Sequence, residues 1–315
     1  MIEEKEILNK CTNLILESMI FSGVEAVGIA GSVGRKEKKI TNTKLNDVDF
    51  FVIANTCDFS KKIKLETNLK KITKTFFTDI LFLKSSKIKK DLAKNNIPQF
   101  LYDLTKSSLI LYITPAYKNI INDANNKNYK ITYESAVNVI FTRLWCVTGP
   151  YTIKNNKIFP IDHTLTFYQM KKAITAIIDA TLICESLYSS SYLTTKIRIF
   201  LKSQFYQNNK TEMDLLLKFF HEPRANFETT YKLLIKEYRS SIYYIIKNNF
   251  FGFLFYCLKL MILSLFRKRE RKELISTVRK IMALRLTKIF FTDKKTIISK
   301  KLSNLYIKIN QEIKL

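Results

Sequence analysis

The sequence predicts a mixed helix-and-strand protein in two parts, an α/β or α+β region over residues 1–125 and an all-helical region over 126–315. Three observations carry that expectation. The first ~115 residues run strand, loop, strand, helix, strand. From about residue 126, apolar positions recur at helical spacing through eight long segments with few breakers. The 315 residues include only 6 Gly and 5 Pro, too few for an all-β chain with many tight turns.

Each element has its own reason. Residues 5–21 place Ile7, Leu8, Leu14, Ile15 and Met19 near helical spacing, and Ser22-Gly23 ends that helix. Val24 to Ala30 is a short apolar run suited to a buried strand, and it leads directly into Gly31-Ser32-Val33-Gly34 and a lysine-rich loop. Asp47 to Ile53 is the next strand, and its alternation puts Asp47 and Asp49 on one face, Val48 and Phe50 on the other. Residues 59–72 read as a helix with Ile63, Leu65, Leu69 and Ile72 inward. Thr75 to Leu83 is a third strand with Asp79 in its middle, and Leu109 to Ile113 a fourth. The polar stretch Asn122 to Lys130 is the expected domain boundary. Helices are expected over 133–148, 166–188, 192–206, 211–221, 227–247, 250–266, 270–286 and 294–312.

Bulk composition narrows the function classes. Hydrophobic residues make up 47% and aromatics 13%, which supplies a core and excludes a disordered chain. A formal charge of +26 attracts polyanions such as nucleic acid, nucleotides or an anionic membrane face. Abundant Lys, Ile, Asn, Phe and Tyr would also follow from an AT-rich genome, and only Arg267 to Lys272 forms a dense basic run. Cys11, Cys57, Cys146, Cys184 and Cys257 lie far apart with no C-x-x-C, which reads as reduced, mostly buried thiols in a cytoplasmic protein. Met1 to Glu6 is acidic and does not read as a signal peptide. His163 and His221 are distant from each other and from any cysteine pair, which argues against a zinc site and a Ser-His-Asp triad. Neither a P-loop nor a strand-borne G-x-G-x-x-G occurs.

The chemistry lies in Gly31-Ser32, Asp47-x-Asp49 and Asp79. A glycine after a strand lets backbone approach a phosphate closely, and a serine hydroxyl donates to phosphate oxygens. Two carboxylates at i and i+2 on a strand point the same way and can share hard cations. A third carboxylate on a neighbouring strand completes a two-metal site that activates an acceptor hydroxyl and stabilises a leaving pyrophosphate. Asp79 interrupts Phe76 to Phe82, where an unpaired buried carboxylate is costly and a metal would offset the cost. The plainer alternative has Asp47 and Asp49 flanking a strand start and Asp79 solvated.

These residues, Gly28-Ile29-Ala30-Gly31-Ser32, Asn46-Asp47-Val48-Asp49-Phe50-Phe51 and Thr78-Asp79-Ile80-Leu81, resemble the pattern of the DNA polymerase β-like nucleotidyltransferase superfamily. Gly31 to Glu37 is similar to the Gly-Ser-x-x-Arg-Gly-Glu form of small nucleotidyltransferase domains, with Lys36 in place of the second glycine. Fourteen residues separate Ser32 from Asp47, towards the long end for this spacer. Tyr102-Asp103-Leu104, Leu111-Tyr112 and Thr142-Arg143-Leu144 resemble, more loosely, bacterial nucleotidyltransferase-domain proteins of unassigned substrate. The resemblance implies an α+β fold in which a nucleotidyltransferase domain, a short mixed sheet with flanking helices, precedes the helical domain. It implies a magnesium-dependent enzyme that moves a nucleoside monophosphate from a nucleoside triphosphate, ATP among them, to a hydroxyl acceptor on a small molecule, protein or nucleic acid. Gly31 and Ser32 would bind the β- and γ-phosphates. Asp47 and Asp49 would bridge two Mg2+ ions. Asp79 would ligate the catalytic ion and orient or deprotonate the acceptor. Arg35 would reach phosphate or stand as a solvated loop arginine. Arg143, on an apolar helical stretch, would need a salt-bridge partner or contact substrate. Two other classes stay open: a catalytically degenerate nucleotide-binding or interaction module, and a basic nucleic-acid-binding protein.

Phe250 to Phe266 is apolar apart from Lys259, and the basic run follows it. Three readings compete: a core helix, a peripheral contact with an anionic membrane through 250–272, and a short span.

Overall fold

The computed structural model describes residues 2–38, 40, 45–148, 151–154, 157–160, 162–221 and 227–266. Two compact units divide the chain, Met1–Ile131 with Ser190–Tyr192, and Thr132–Ser189 with Leu193–Leu315.

The first unit mixes helix and strand. In order it contains α1 (Ile2–Glu17), β1 (Phe21–Ser22), β2 (Ala26–Ile29), the single turn α2 (Gly31–Gly34), β3 (Leu45–Ala54), β4 (Thr56–Cys57), α3 (Phe59–Thr73) and β5 (Thr75–Lys84). Then come α4 (Ser85–Leu92), β6 (Asn96–Ile97), α5 (Gln99–Ser107), β7 (Leu109–Ile113), α6 (Pro115–Asn126) and β8 (Lys130–Ile131). The central sheet has the order β5-β3-β2-β7. β3 and β5 are parallel, while β2 is antiparallel to both β3 and β7. A parallel pair needs a crossover, and α3 supplies it. Asp58 starts that helix by accepting from the Ser60 N–H, and Lys74, left-handed at φ 52°, turns the chain straight into β5.

Strand alternation decides which face becomes core. Val27 and Ile29 of β2, Val48, Phe50 and Val52 of β3, and Ile80 of β5 pack with Cys11 and Ile15 of α1 and Leu65 and Leu69 of α3. Each such buried side chain contributes roughly 1.5–3 kcal/mol. Asp47 and Asp49 therefore face the other way. That second face is itself apolar further along, where Phe51 and Ile53 are buried. The Phe51 ring crosses Gly28, its register partner: a Cβ there would stand 2.4 Å from the ring and 2.7 Å from the Leu109 carbonyl.

The second unit is helical around one central helix. It contains α7 (Tyr133–Thr142), α8 (Leu144–Thr148), β9 (Tyr151–Lys154), β10 (Lys157–Pro160), α9 (His163–Cys184), α10 (Leu193–Phe200), α11 (Gln204–Asn208), α12 (Lys210–His221), α13 (Phe227–Asn248) and α14 (Phe250–Phe266). α9 is capped by Asp162, which accepts from Leu165 N–H, and buries Met170, Ile174, Ile177, Ile178 and Leu182. α7, α8, α10, α12 and α13 pack on it. A buried Lys196–Asp179 ion pair at 2.9 Å ties α10 to α9.

Several expectations need correction. The second part is not all-helical, because β9 and β10 form an antiparallel hairpin. The helix expected over 133–148 breaks at Arg143, and the one over 192–206 breaks between α10 and α11. Asn122 to Lys130 completes α6 and enters β8, where Lys130 and Ile131 pair with Asn96 and Ile97, and the two units divide directly after it, between Ile131 and Thr132. α4, α5 and α6 were not expected. The helices expected over 270–286 and 294–312, and the basic run Arg267 to Lys272, lie outside the described residues.

Candidate active site

β2 ends against β3 and its chain turns at once into α2. The Ala30 N–H donates to the Asp49 carbonyl at 2.8 Å, which pins the start of the turn to the middle of β3. Gly31 takes φ +67°, and a Cβ on it would lie 3.1 Å from Asp49 Oδ2. The Asp49 carboxylate thus sits against the Gly31 backbone, where a side chain on residue 31 would crowd it. The Ser32 carbonyl accepts from the Glu37 and Lys38 N–H groups at 2.9 and 3.2 Å, closing the loop after the turn. A helix start leaves its first N–H groups without intrahelical acceptors, so this corner favours anions.

The parallel register brings the aspartates together. Asp49 is the register partner of Asp79, and Asp47 lies two residues earlier on β3, on the same face. Neighbouring strands stand about 4.8 Å apart, so the three Cα positions cluster near the middle of the β3–β5 pair. Asp47 is partly buried and Asp49 is exposed. Among the described residues, no three His, Cys, Asp or Glu side chains form a group that could hold a metal ion.

Asp79 corrects the desolvation argument. Its side chain is 71% exposed, so burial in an apolar strand imposes no large cost for a metal to offset. Its partner is Lys62 of α3, whose Nζ lies 3.2 Å from Asp79 Oδ1 and 3.1 Å from Glu66 Oε1. Glu66 Oε1 also accepts the Ile80 N–H at 2.9 Å. Partial burial would raise the Asp79 carboxyl, but hydrogen bonding with Glu66 and Lys62, the Lys62 charge and the Ile80 N–H hold it below the usual carboxylate range. Burial would lower Lys62, but hydrogen bonds and charge from Glu66 and Asp79 leave it above its ordinary value.

Arg35 is partly buried and pairs with Glu37. Its Nε and Nη2 donate to Glu37 Oε2 at 2.9 and 2.8 Å, and its side chain is 18% exposed. Lys36 holds φ +59°, the left-handed region that favours glycine. Arg143 is exposed at the C-cap of α7, in the second unit. Lys62 and Glu66 were not among the residues that the sequence pointed to. Their i, i+4 spacing on the expected helix 59–72 was the available signal.

No protein-family model matches this chain, and no curated protein matches it.

Proposed function

We propose that the first unit is a nucleotidyltransferase of the polymerase β-like type, moving a nucleoside monophosphate from a nucleoside triphosphate to a hydroxyl acceptor. One observation carries the reading: the parallel β3–β5 register sets Asp79 opposite Asp49, with Asp47 on the same face and Gly31 against the Asp49 carboxylate. The left-handed Lys36 adds support, since it stands where the resembled loop pattern has glycine.

In this reading the Gly31 backbone and the Ser32 hydroxyl receive the triphosphate, and Arg35, held by Glu37, buttresses the loop. The carboxylate oxygens of Asp47 and Asp49 are the hard donors magnesium prefers, and those two residues would hold the ion. Bound there, magnesium would neutralise charge on the phosphates and on the leaving pyrophosphate. Asp79, kept ionised by Lys62, orients the acceptor hydroxyl or takes its proton.

The Lys62–Asp79 pair favours a second reading, a nucleotide-binding or interaction module without catalysis, because Asp79 already has a cation. Two experiments separate these. Asp49→Ala should abolish magnesium-dependent nucleotide binding while leaving the circular dichroism unchanged; undiminished binding would sink the assignment. Incubation with labelled ATP, CTP, GTP and UTP and cell extract should transfer label to an acceptor if the unit is an enzyme. Binding without transfer identifies the module. Tight nucleic-acid binding that survives loss of Asp47 and Asp49 identifies a basic nucleic-acid-binding protein instead.

A further inference from the structure

α14 is apolar apart from Lys259, and among its described side chains, Phe250 to Leu258, one side is covered and the other is exposed. On the inner side Tyr256 is buried and donates to Asn138 Oδ1 of α7 at 2.6 Å, and Phe253 stacks on Phe141 with centroids 6.3 Å apart. On the outer side Phe251 is 81% exposed, Phe255 67%, Leu258 47% and Leu254 43%. At about 100° per residue these four fall within about 100° of arc, roughly opposite Tyr256. A contiguous exposed stripe of this kind marks a contact surface.

We propose that this face docks the protein peripherally on an anionic lipid bilayer, with α14 lying in the plane of the interface. Three observations select that occupant. The stripe is made of phenylalanine and leucine, the side chains an interfacial helix sinks below the headgroups. Directly after α14 the sequence reads Arg267-Lys268-Arg269-Glu270-Arg271-Lys272, five cations to one acid, suited to anionic headgroups. A second copy of the chain would bring its own net charge of +26, so like-charge repulsion opposes self-association and favours an anionic surface. Among the described residues no helix is long and apolar enough to cross a membrane, and the docking proposed is peripheral.

The test uses the full chain and needs no nucleotide, so it stands apart from the proposed activity. Vesicles of phosphatidylcholine alone are compared with vesicles of equal parts phosphatidylcholine and phosphatidylglycerol in a sedimentation assay. The chain should pellet with the anionic vesicles, and Phe251→Ser/Phe255→Ser should weaken that partition about tenfold or more. Tryptophan emission of Phe255→Trp should shift to the blue when anionic vesicles are added. Equal partition of wild type and double variant, or no emission shift, overturns the proposal. So does a self-associated wild type that the double variant dissolves, which would make a second copy the occupant. A lowered unfolding midpoint in the double variant would place another part of this chain on the face, and it too would overturn the docking.

Discussion

Replacing Glu237 with glutamine should remove a pH-dependent weakness from the helical unit. Glu237 of α13 is 0% exposed, and neither carboxylate oxygen has a hydrogen-bond partner among the described residues. The nearest cation, Lys236, is 3.7 Å away, 59% exposed, and drawn to Glu212 at 2.6 Å. Burial is the main cause that pushes Glu237 from 4.5 up to about 7; Glu212 adds to it, and Lys236 only partly opposes it. The folded state therefore favours the neutral acid. Its contribution is fully present below pH 4.5 and is lost as pH rises through about 7. At about 1.4 kcal/mol per unit, the interval from 4.5 to about 7 corresponds to about 3 kcal/mol. Glutamine copies the shape of the neutral acid and does not titrate. Urea unfolding followed by circular dichroism, on both proteins across this interval, is the assay. Below pH 4.5 the two should agree within about 1 kcal/mol, and well above pH 7 the glutamine variant should be the more stable by about 3 kcal/mol. Other groups titrate in both proteins, so only the difference matters. Parallel profiles would refute the reasoning.

Gly28→Ala would drive a Cβ into the Phe51 ring and the Leu109 carbonyl; a loss of about 3 kcal/mol is expected on urea unfolding. Lys62→Met should let the Asp79 carboxyl rise, read by NMR titration. Because a depressed Asp contributes stability that is lost as pH falls below its ordinary 3.8, the variant should show a smaller acid-induced loss than wild type. Lys36→Gly relieves a left-handed side chain and should raise stability by about 0.5 kcal/mol, whereas Gly31→Ala should lower it by about 1–2 kcal/mol and weaken nucleotide binding through the crowded Asp49 carboxylate.

How much of the fold and site was legible in the sequence varied with the range of the forces involved. β3 and β5 were readable because each is a short, largely apolar run, with alternation only at Asp47 to Phe50, and α3 because Leu65 and Leu69 recur at helical spacing. α4 was not, since Ile88 and Leu92 sit among lysines in eight residues. The β9–β10 hairpin did leave a signal, since Tyr151-Thr152-Ile153-Lys154 alternates and two asparagines follow it in the sequence, but each run is only four residues long and lies between helical patterns. The juxtaposition of Asp49 and Asp79 depends on strand order and register, which no local pattern states. The exposure of Asp79 was misjudged for the same reason. Its neighbours in sequence are apolar, but β5 is an edge strand, and an edge residue reaches water past those neighbours. Lys62 meets Asp79 only because the crossover helix returns along that edge.

That edge has a consequence for how the protein behaves among other copies of itself. A terminal strand offers a row of open donors and acceptors to any extended segment that drifts past, and Thr75 to Lys84 includes three phenylalanines. Glu66 puts a carboxylate oxygen at the Ile80 N–H, in the place an incoming strand's carbonyl would take. Lys62 stands beside it with a charge that a joining strand would have to desolvate. The helix that makes parallel pairing possible thus also guards the β5 edge, because a strand arriving there would have to displace Glu66 from the Ile80 N–H before it could pair.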